Sequence, residues 1–364
     1  MANLKNRLLE FYEKNETKVD IGFFLAGVLF DVFTLSDIDD PLAIAQQLVY
    51  LVLIGALLYY DFLARHELFK IPARLEKVWV YRDLAIHFLL GSLLSVYSLF
   101  FLKSASVFAS FVFIFVMMGL MVANELKSVQ KNEINLKIAL YLICVFSFFS
   151  MIFPVLLGFV GWVPFLMSLG ATALILWGVY KLLLKRAERP EILRRALLLP
   201  GGTVLALFFV FYLLGWIPPV PLSVQEIGIY HKIEKQEGQY LVSQENPWWR
   251  FWRSGDQDFV AEPGDEIFVF VRIFSPSRFS DAVFLHWQSY DARDGWKTSD
   301  RIPMKISGGR EGGYRGYASK KNYADGEWRV LVETTDGREV GRLKFWVTKV
   351  PVAFERRIFE TLTR

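Results

Sequence analysis

"ALLLPGGTVLALFFVFYLLGWIPPVPL", residues 196–222, changes character near its end. From Ala196 to Ile217 the residues are almost all apolar. At about 1.5 Å of rise per residue, a run of this length crosses the roughly 30 Å hydrocarbon core of a bilayer. Bilayer hydrocarbon offers no partner to bare backbone groups, so such a run has to be a helix. Pro218, Pro219 and Pro221 then remove amide donors and end it. Everything upstream reads as apolar runs, and everything downstream reads as short alternating segments.

Working backwards, six further apolar segments resemble the first: Ile21–Ser36, Leu42–Tyr60, Leu84–Leu102, Ala105–Ala123, Ile138–Leu157 and Val163–Tyr180. The chain is 54% hydrophobic over 364 residues, with a net charge of +4, and the apolar excess lies in its first 220 positions. Basic residues sort by connection. Lys5, Arg7, Lys14 and Lys18 precede the first run. Arg65, Lys70, Arg74, Lys77 and Arg82 follow the second. Lys127, Lys131 and Lys137 follow the fourth. Lys181, Lys185, Arg186, Arg189, Arg194 and Arg195 follow the sixth. The other connections hold only Lys103. The positive-inside rule therefore predicts seven spans, a cytoplasmic N-terminus and an outer C-terminal domain. No cleavable leader is read, because a mixed-charge stretch precedes Ile21 and no small-residue cleavage site follows the run.

Working forwards, "EIFVFVRIF" (266–274) and "AVFLHWQSY" (282–290) read as strands, the second with Val283, Leu285 and Trp287 on one face. "EWRVLVET" and "GRLKFWV" flank Asp336-Gly337, a strong hairpin signal. That register puts Trp328, Val330 and Val332 on the side of Leu343, Phe345 and Val347. "IYHKIEKQEGQYLV" (229–242) reads as a second hairpin, turning at Glu237-Gly238. The expected fold class is a transmembrane helical bundle of about seven helices (1–220), then an all-β domain (221–350), an antiparallel immunoglobulin-like β-sandwich. The tail 351–364 reads as a short amphipathic helix through Phe354, Ile358 and Leu362.

The stretch from Leu285 to Phe345 resembles the bacterial domain-of-unknown-function family 2914. The resemblance is carried by His286-Trp287; by Arg315, Tyr317, Ser319 and Lys320; and by Gly326, Trp328, Val330, Asp336, Gly337 and Phe345. "GVLFDVFTLSDID" and "YRDLAIHFLLGSLLSVYSLFFLKSAS" are similar to the membrane region of some proteobacterial members. The resemblance implies a Gram-negative inner-membrane protein with a periplasmic domain. It implies no activity and no catalytic residue.

Candidate site residues are few. The segment 224–349 holds 19 basic and 19 acidic residues, so it is read as binding no nucleic acid. The one cysteine, Cys144, lies in an apolar run, which excludes a disulfide framework or a CxxC metal site. No catalytic, metal or cofactor set is expected. "SGGREGGYRG" (307–316) lacks the Gly-Lys-Ser/Thr ending of a phosphate loop and reads as a structural loop, with an anion nest at Arg310 and Arg315 as the alternative. His286 alternates away from Trp287, so a polar ligand site with Arg315 and Arg329 is one expectation and a hydrogen-bonded sheet histidine the other. In the membrane half, Asp31 and His87 are ionisable groups that cost insertion energy. Gly91 and Ser95 read as a close-packing stripe, and Pro154, Pro164 and Pro200 as kink positions. Trp248, Trp249 and Trp252, within "NPWWRFWRSGD", read as a membrane-interface contact, with domain core and sugar stacking as alternatives. Membrane lipids and an envelope protein or glycan are the expected partners. The leading reading is a non-enzymatic envelope binding protein. A transporter or lipid-handling protein is the rival, and an enzyme built on Asp31 and the outer acidic loop is the weakest.

Overall fold

The computed structural model describes residues 37–125, 134–186, 190–245, 249–250, 252–307, 313–351 and 359–364. The first apolar run with Asp31, as well as Trp248, Arg310, Phe354 and Ile358, lies outside the described residues. The chain divides into two compact units. One comprises Met1–Lys103, Ser110–Phe153 and Pro164–Ile217; the other comprises Ser104–Ala109, Pro154–Val163 and Pro218–Arg364.

The first unit is helical: α1 (Pro41–Arg65), α2 (Ala73–Trp79), α3 (Arg82–Lys103), α4 (Val107–Glu125), α5 (Ile134–Leu157), α6 (Trp162–Leu184) and α7 (Pro190–Leu213). Five of these, α1, α3, α5, α6 and α7, are long and apolar enough to cross a membrane, and Ala109–Val122 within α4 forms a shorter apolar helix. Asp40, from the acidic stretch 37–40, is a helix cap: its carboxylate accepts the Leu42 amide at 3.0 Å, with Pro41 opening the helix. The bundle core is aromatic. Phe146 of α5 lies 4.0 Å from Phe208 of α7, and Phe165 of α6 stacks on Tyr212 at 3.5 Å.

Two proline expectations find specific forms. Pro200 would clash with the carbonyl four residues back in an unbroken α-helix. Here Arg194–Leu198 widens into a π turn, and the Leu199 amide reaches the Arg194 carbonyl. The end of α7 is set before the prolines, contrary to the boundary at Ile217. Gly215, at φ +70°, donates to Tyr212 O at 3.1 Å, and Trp216 donates to Phe211 O at 2.9 Å. That is a Schellman cap, which favours glycine because the left-handed residue meets no Cβ penalty.

Lys137 departs from its reading as a loop residue. It lies in α5, its side chain is 1% exposed, and its ammonium meets Asp83 at 2.7 Å. Asp61, equally buried, accepts from Arg65 and Arg82 at 2.8 and 2.7 Å. Buried charges persist only when paired in this way.

The second unit is β-rich. Its strands are β1 (Ser223–Tyr230), β2 (Lys232–Gln236), β3 (Gln239–Gln244), β4 (Asp258–Ala261), β5 (Ile267–Phe274), β6 (Ser280–Asp291), β7 (Gly295–Ser307), β8 (Tyr314–Lys320), β9 (Gly326–Thr334), β10 (Glu339–Lys349) and β11 (Glu360–Thr363). They form sheets of order β4-β10-β9-β6-β7, β1-β5-β8 and β11-β3-β2. The first two share one core, with Val269, Val271 and Ile273 on one side and Leu285, Trp287, Val330, Val332 and Phe345 on the other. The Asp336-Gly337 hairpin has the expected register: Trp328 faces Phe345, Val330 faces Leu343, and all four are buried. The Glu237-Gly238 turn has φ of +50° and +83°, the geometry that joins two-residue hairpins. Two features depart from the simple antiparallel sandwich. β4 pairs with β10 in parallel. The tail does not continue as a helix, because Leu362 joins strand β11 opposite Val242 of β3. Its apolar side chain packs with Ile233, Val242 and Phe270, so the tail's alternation is used by a sheet.

Candidate ligand site on the outer sheet face

The five-stranded sheet has an apolar inner face and a polar outer face, because side chains alternate along each strand. Strand pairing lines the outer residues into rows. Thr298, Gln288, Arg329 and Lys344 stand opposite one another across β7, β6, β9 and β10, and Arg301, His286, Leu331 and Arg342 form the next row. A register shift between Trp287 and Gln288 leaves Ser299 of β7 unpaired, so Gln288 meets Thr298. Such bulges re-aim side chains, and this one brings Thr298 within reach of His286.

The polar groups form one chain. Glu333 Oε1 is 2.9 Å from His286 Nδ1, His286 Nε2 is 2.8 Å from Thr298 Oγ1 and 3.2 Å from the Gln288 amide nitrogen, and Gln288 Oε1 accepts from Arg329 Nε at 2.6 Å. These directions agree with one tautomer. The Gln288 amide donates to Nε2, so the ring proton sits on Nδ1 and goes to Glu333. The chain fixes Arg329 at one edge, and the Trp296 ring supports its flat face with 4.2 Å between Cζ and the ring centroid. Lys344 Nζ lies 5.2 Å from the same ring, and Tyr290 packs against it edge-on at 5.3 Å. Among the described residues Arg329 has no carboxylate within ion-pair distance, whereas Lys344 has Glu327 at 3.2 Å. Burial, with the nearby Arg342 charge, holds the Arg329 guanidinium below its ordinary pKa. It stays protonated in any accessible pH range.

Of the expected site residues, His286 and Arg329 come together and Arg315 does not join them. Arg315 lies on β8 of another sheet, opposite Arg272 of β5. Strand alternation gives the face of a residue but not its sheet, which is why sequence grouped the three. Trp249 and Trp252 are 51% and 63% exposed and pack edge-on at 6.0 Å, so neither belongs to the domain core. His87 is buried within α3, as is Ser95 of the predicted packing stripe, whereas Gly91 is half-buried.

Sequence reading missed Glu333, Gln288, Thr298, Trp296 and Lys344. The signal was present for one of them: Glu333 shares with the expected Arg329 the non-core positions of β9 that alternate with Val330 and Val332. It also missed the surroundings of His231. That ring is buried, stacks on Phe259 at 4.0 Å, and has carboxylate oxygens of Asp256, Asp265 and Glu245 at 3.6, 3.7 and 3.8 Å. Their spacing along the chain resembles no metal motif, and among the described residues no group of three or more His, Cys, Asp or Glu could hold a metal ion.

Comparison with known proteins places a domain of the family described as "Protein of unknown function (DUF2914)" at residues 280–347. That segment runs from β6 to β10 and contains every residue of the polar chain. No curated protein matches this sequence. Similar solved structures include an immunoglobulin-like protein from Pseudomonas aeruginosa, 14% identical, covering 34% of this chain and 97% of its own, at a TM-score of 0.21. A β-glucosidase from Kluyveromyces marxianus is 11% identical over 40% of this chain and 16% of its own, at 0.18. The alkylpurine DNA glycosylase of Pseudomonas fluorescens is 9% identical over 86% of this chain and 100% of its own, at 0.23.

Proposed function

We propose that this is an integral inner-membrane protein with seven spans and a cytoplasmic N-terminus. It displays an immunoglobulin-like β-sandwich in the periplasm, and the outer sheet face of that domain binds a carboxylate-bearing partner in the cell envelope. The charge asymmetry of the connections supports the orientation.

The observation that carries the binding reading is Arg329. Its guanidinium is oriented by the Glu333–His286–Gln288 chain, backed by an indole and flanked by a second cation, and among the described residues it has no carboxylate of its own. A preorganised guanidinium suits a planar carboxylate, which it can meet with two parallel hydrogen bonds. Because both cations lie against the Trp296 ring, an anion fits the site better than a neutral sugar stacked on that ring.

The test is titration of the full-length protein in detergent with a short glutamate-rich peptide and with a neutral oligosaccharide. The peptide should bind and weaken with added salt, and Arg329→Gln should lower its affinity about tenfold, the value of one charge-assisted contact. Binding of the oligosaccharide alone, or peptide binding indifferent to Arg329→Gln, would overturn the reading.

A further inference from the structure

We propose a second binding site, inside the helical unit, for one acyl chain of an anionic phospholipid drawn from the leaflet on the basic side of the protein. A cavity of about 250 Å³ lies between α1, α5, α6 and α7, lined by residues that include Leu58, Phe62, Tyr141, Val179, Leu183 and Leu197. The lining is apolar apart from tyrosine hydroxyls. Gly55 makes room for it: a Cβ there would stand 2.6 Å from the Tyr141 hydroxyl.

The position of the cavity selects its occupant. Leu183 is at the end of α6 and Leu197 is near the start of α7, so the cavity sits beside the connection between them. The connection carries Lys185 and Arg186, and the first turns of α7 carry Arg194 and Arg195, all exposed. The lining residues of α1 run towards Arg65, and those of α5 follow Lys137. Arg65, Arg82 and Lys137 are paired to Asp61 and Asp83. Arg186, Arg194 and Arg195 have no carboxylate within ion-pair distance among the described residues. An apolar slot thus has, within three residues of its lining Leu197, two exposed arginines without a carboxylate partner among the described residues, the combination by which basic pockets between membrane helices hold anionic head groups.

The π turn that accommodates Pro200 shapes the same place. Arg194–Leu198 is the widened segment, and it supplies both the two arginines and Leu197 of the lining. Insertions of this kind recur at functional sites because they re-aim side chains. The acyl chain occupies the slot and the phosphate meets Arg194 and Arg195.

The test uses the full-length protein in phosphatidylcholine nanodiscs, doped with phosphatidylglycerol or phosphatidylethanolamine carrying a photoreactive diazirine at the acyl terminus. Adducts should map to the cavity-lining segments of α1 and α6, and phosphatidylglycerol should be preferred. Arg194→Gln with Arg195→Gln should lower the phosphatidylglycerol adduct about thirty-fold, the effect of two charges near the surface. Val179→Phe fills the slot without touching a charge and should remove the adduct from both segments. Labelling spread evenly over all lipid-facing helices would overturn the site. So would equal labelling by the two lipids, or an adduct unchanged by the arginine pair. The site is independent of the sheet face, so peptide binding and lipid labelling can fail separately.

Discussion

Trp328 joins the two halves of the β core, and its removal should come close to unfolding the second unit. The side chain is 4% exposed and stands opposite Phe345 in the β9–β10 ladder. Its indole Nε1 donates to the Ala324 carbonyl at 2.9 Å, and the Lys320 ammonium lies 5.4 Å from the ring. Trp328→Ala loses the buried ring and leaves a cavity, about 3–5 kcal/mol. The lost hydrogen bond adds about 1 kcal/mol at most, because Ala324 is exposed and its carbonyl can return to water. A loss near 4 kcal/mol is large against the 5–15 kcal/mol that holds a typical domain. Trp328→Phe retains most of the packing and should lose about 1–2 kcal/mol. Hydrogen exchange on the full-length protein in detergent measures this without an isolated fragment. Core amides of β6, β9 and β10 exchange through the global opening, so 4 kcal/mol appears as roughly a thousandfold faster exchange. Acceleration below about fivefold in Trp328→Ala, equivalent to about 1 kcal/mol, would refute the placement of this ring in a shared core.

The Lys320 ammonium holds the Asp300 carboxyl below its ordinary pKa. A lowered folded value stabilises at neutral pH and is lost as pH falls through that value, so acid melts should steepen there in the wild type but not in Asp300→Asn. Asp281 has the opposite sign, because burial raises its pKa despite hydrogen bonds from the Ala282 and Val160 amides. Its ionisation disfavours the fold as pH rises, and Asp281→Asn should therefore melt no lower than wild type at neutral pH. The Lys137–Asp83 pair, with only its ammonium buried, should be asymmetric. Asp83→Asn strands an ammonium that is 1% exposed and should cost about 3 kcal/mol, whereas Lys137→Met leaves a carboxylate that is 38% exposed and still near Arg82, and should cost about 1. Equal melting losses for the two variants would contradict that placement.

How much of this was legible beforehand depended on how local the cause was. The change at "WIPPVPL" and the hairpin register of Trp328, Val330 and Val332 rest on periodicity over a few residues, and both are seen in the structure. Lys137 misled because a charged residue beside an apolar run reads as a loop; only Asp83, 54 positions away, reveals it as buried. The end of α7 misled because two signals lay close together, and Gly215 acted before Pro218. The polar chain on the sheet face was half legible. Alternation put His286 and Arg329 on non-core faces. Their contact through Gln288, and the bulge that delivers Thr298, depend on which strands pair, as does the exclusion of Arg315. The three carboxylates around His231 gather only when separate loops close.

The most direct test of a membrane-anchored domain displayed outside the cell's inner membrane is labelling from one side. Asn322 is exposed beside β8, Arg186 is exposed at the end of α6, and the single native thiol, Cys144, is buried. Asn322→Cys and Arg186→Cys variants are treated, in spheroplasts with intact inner membranes, with a membrane-impermeant maleimide. Position 322 should label at once, and position 186 only after the membrane is permeabilised. Immediate labelling at 186 with protection at 322 would contradict this orientation.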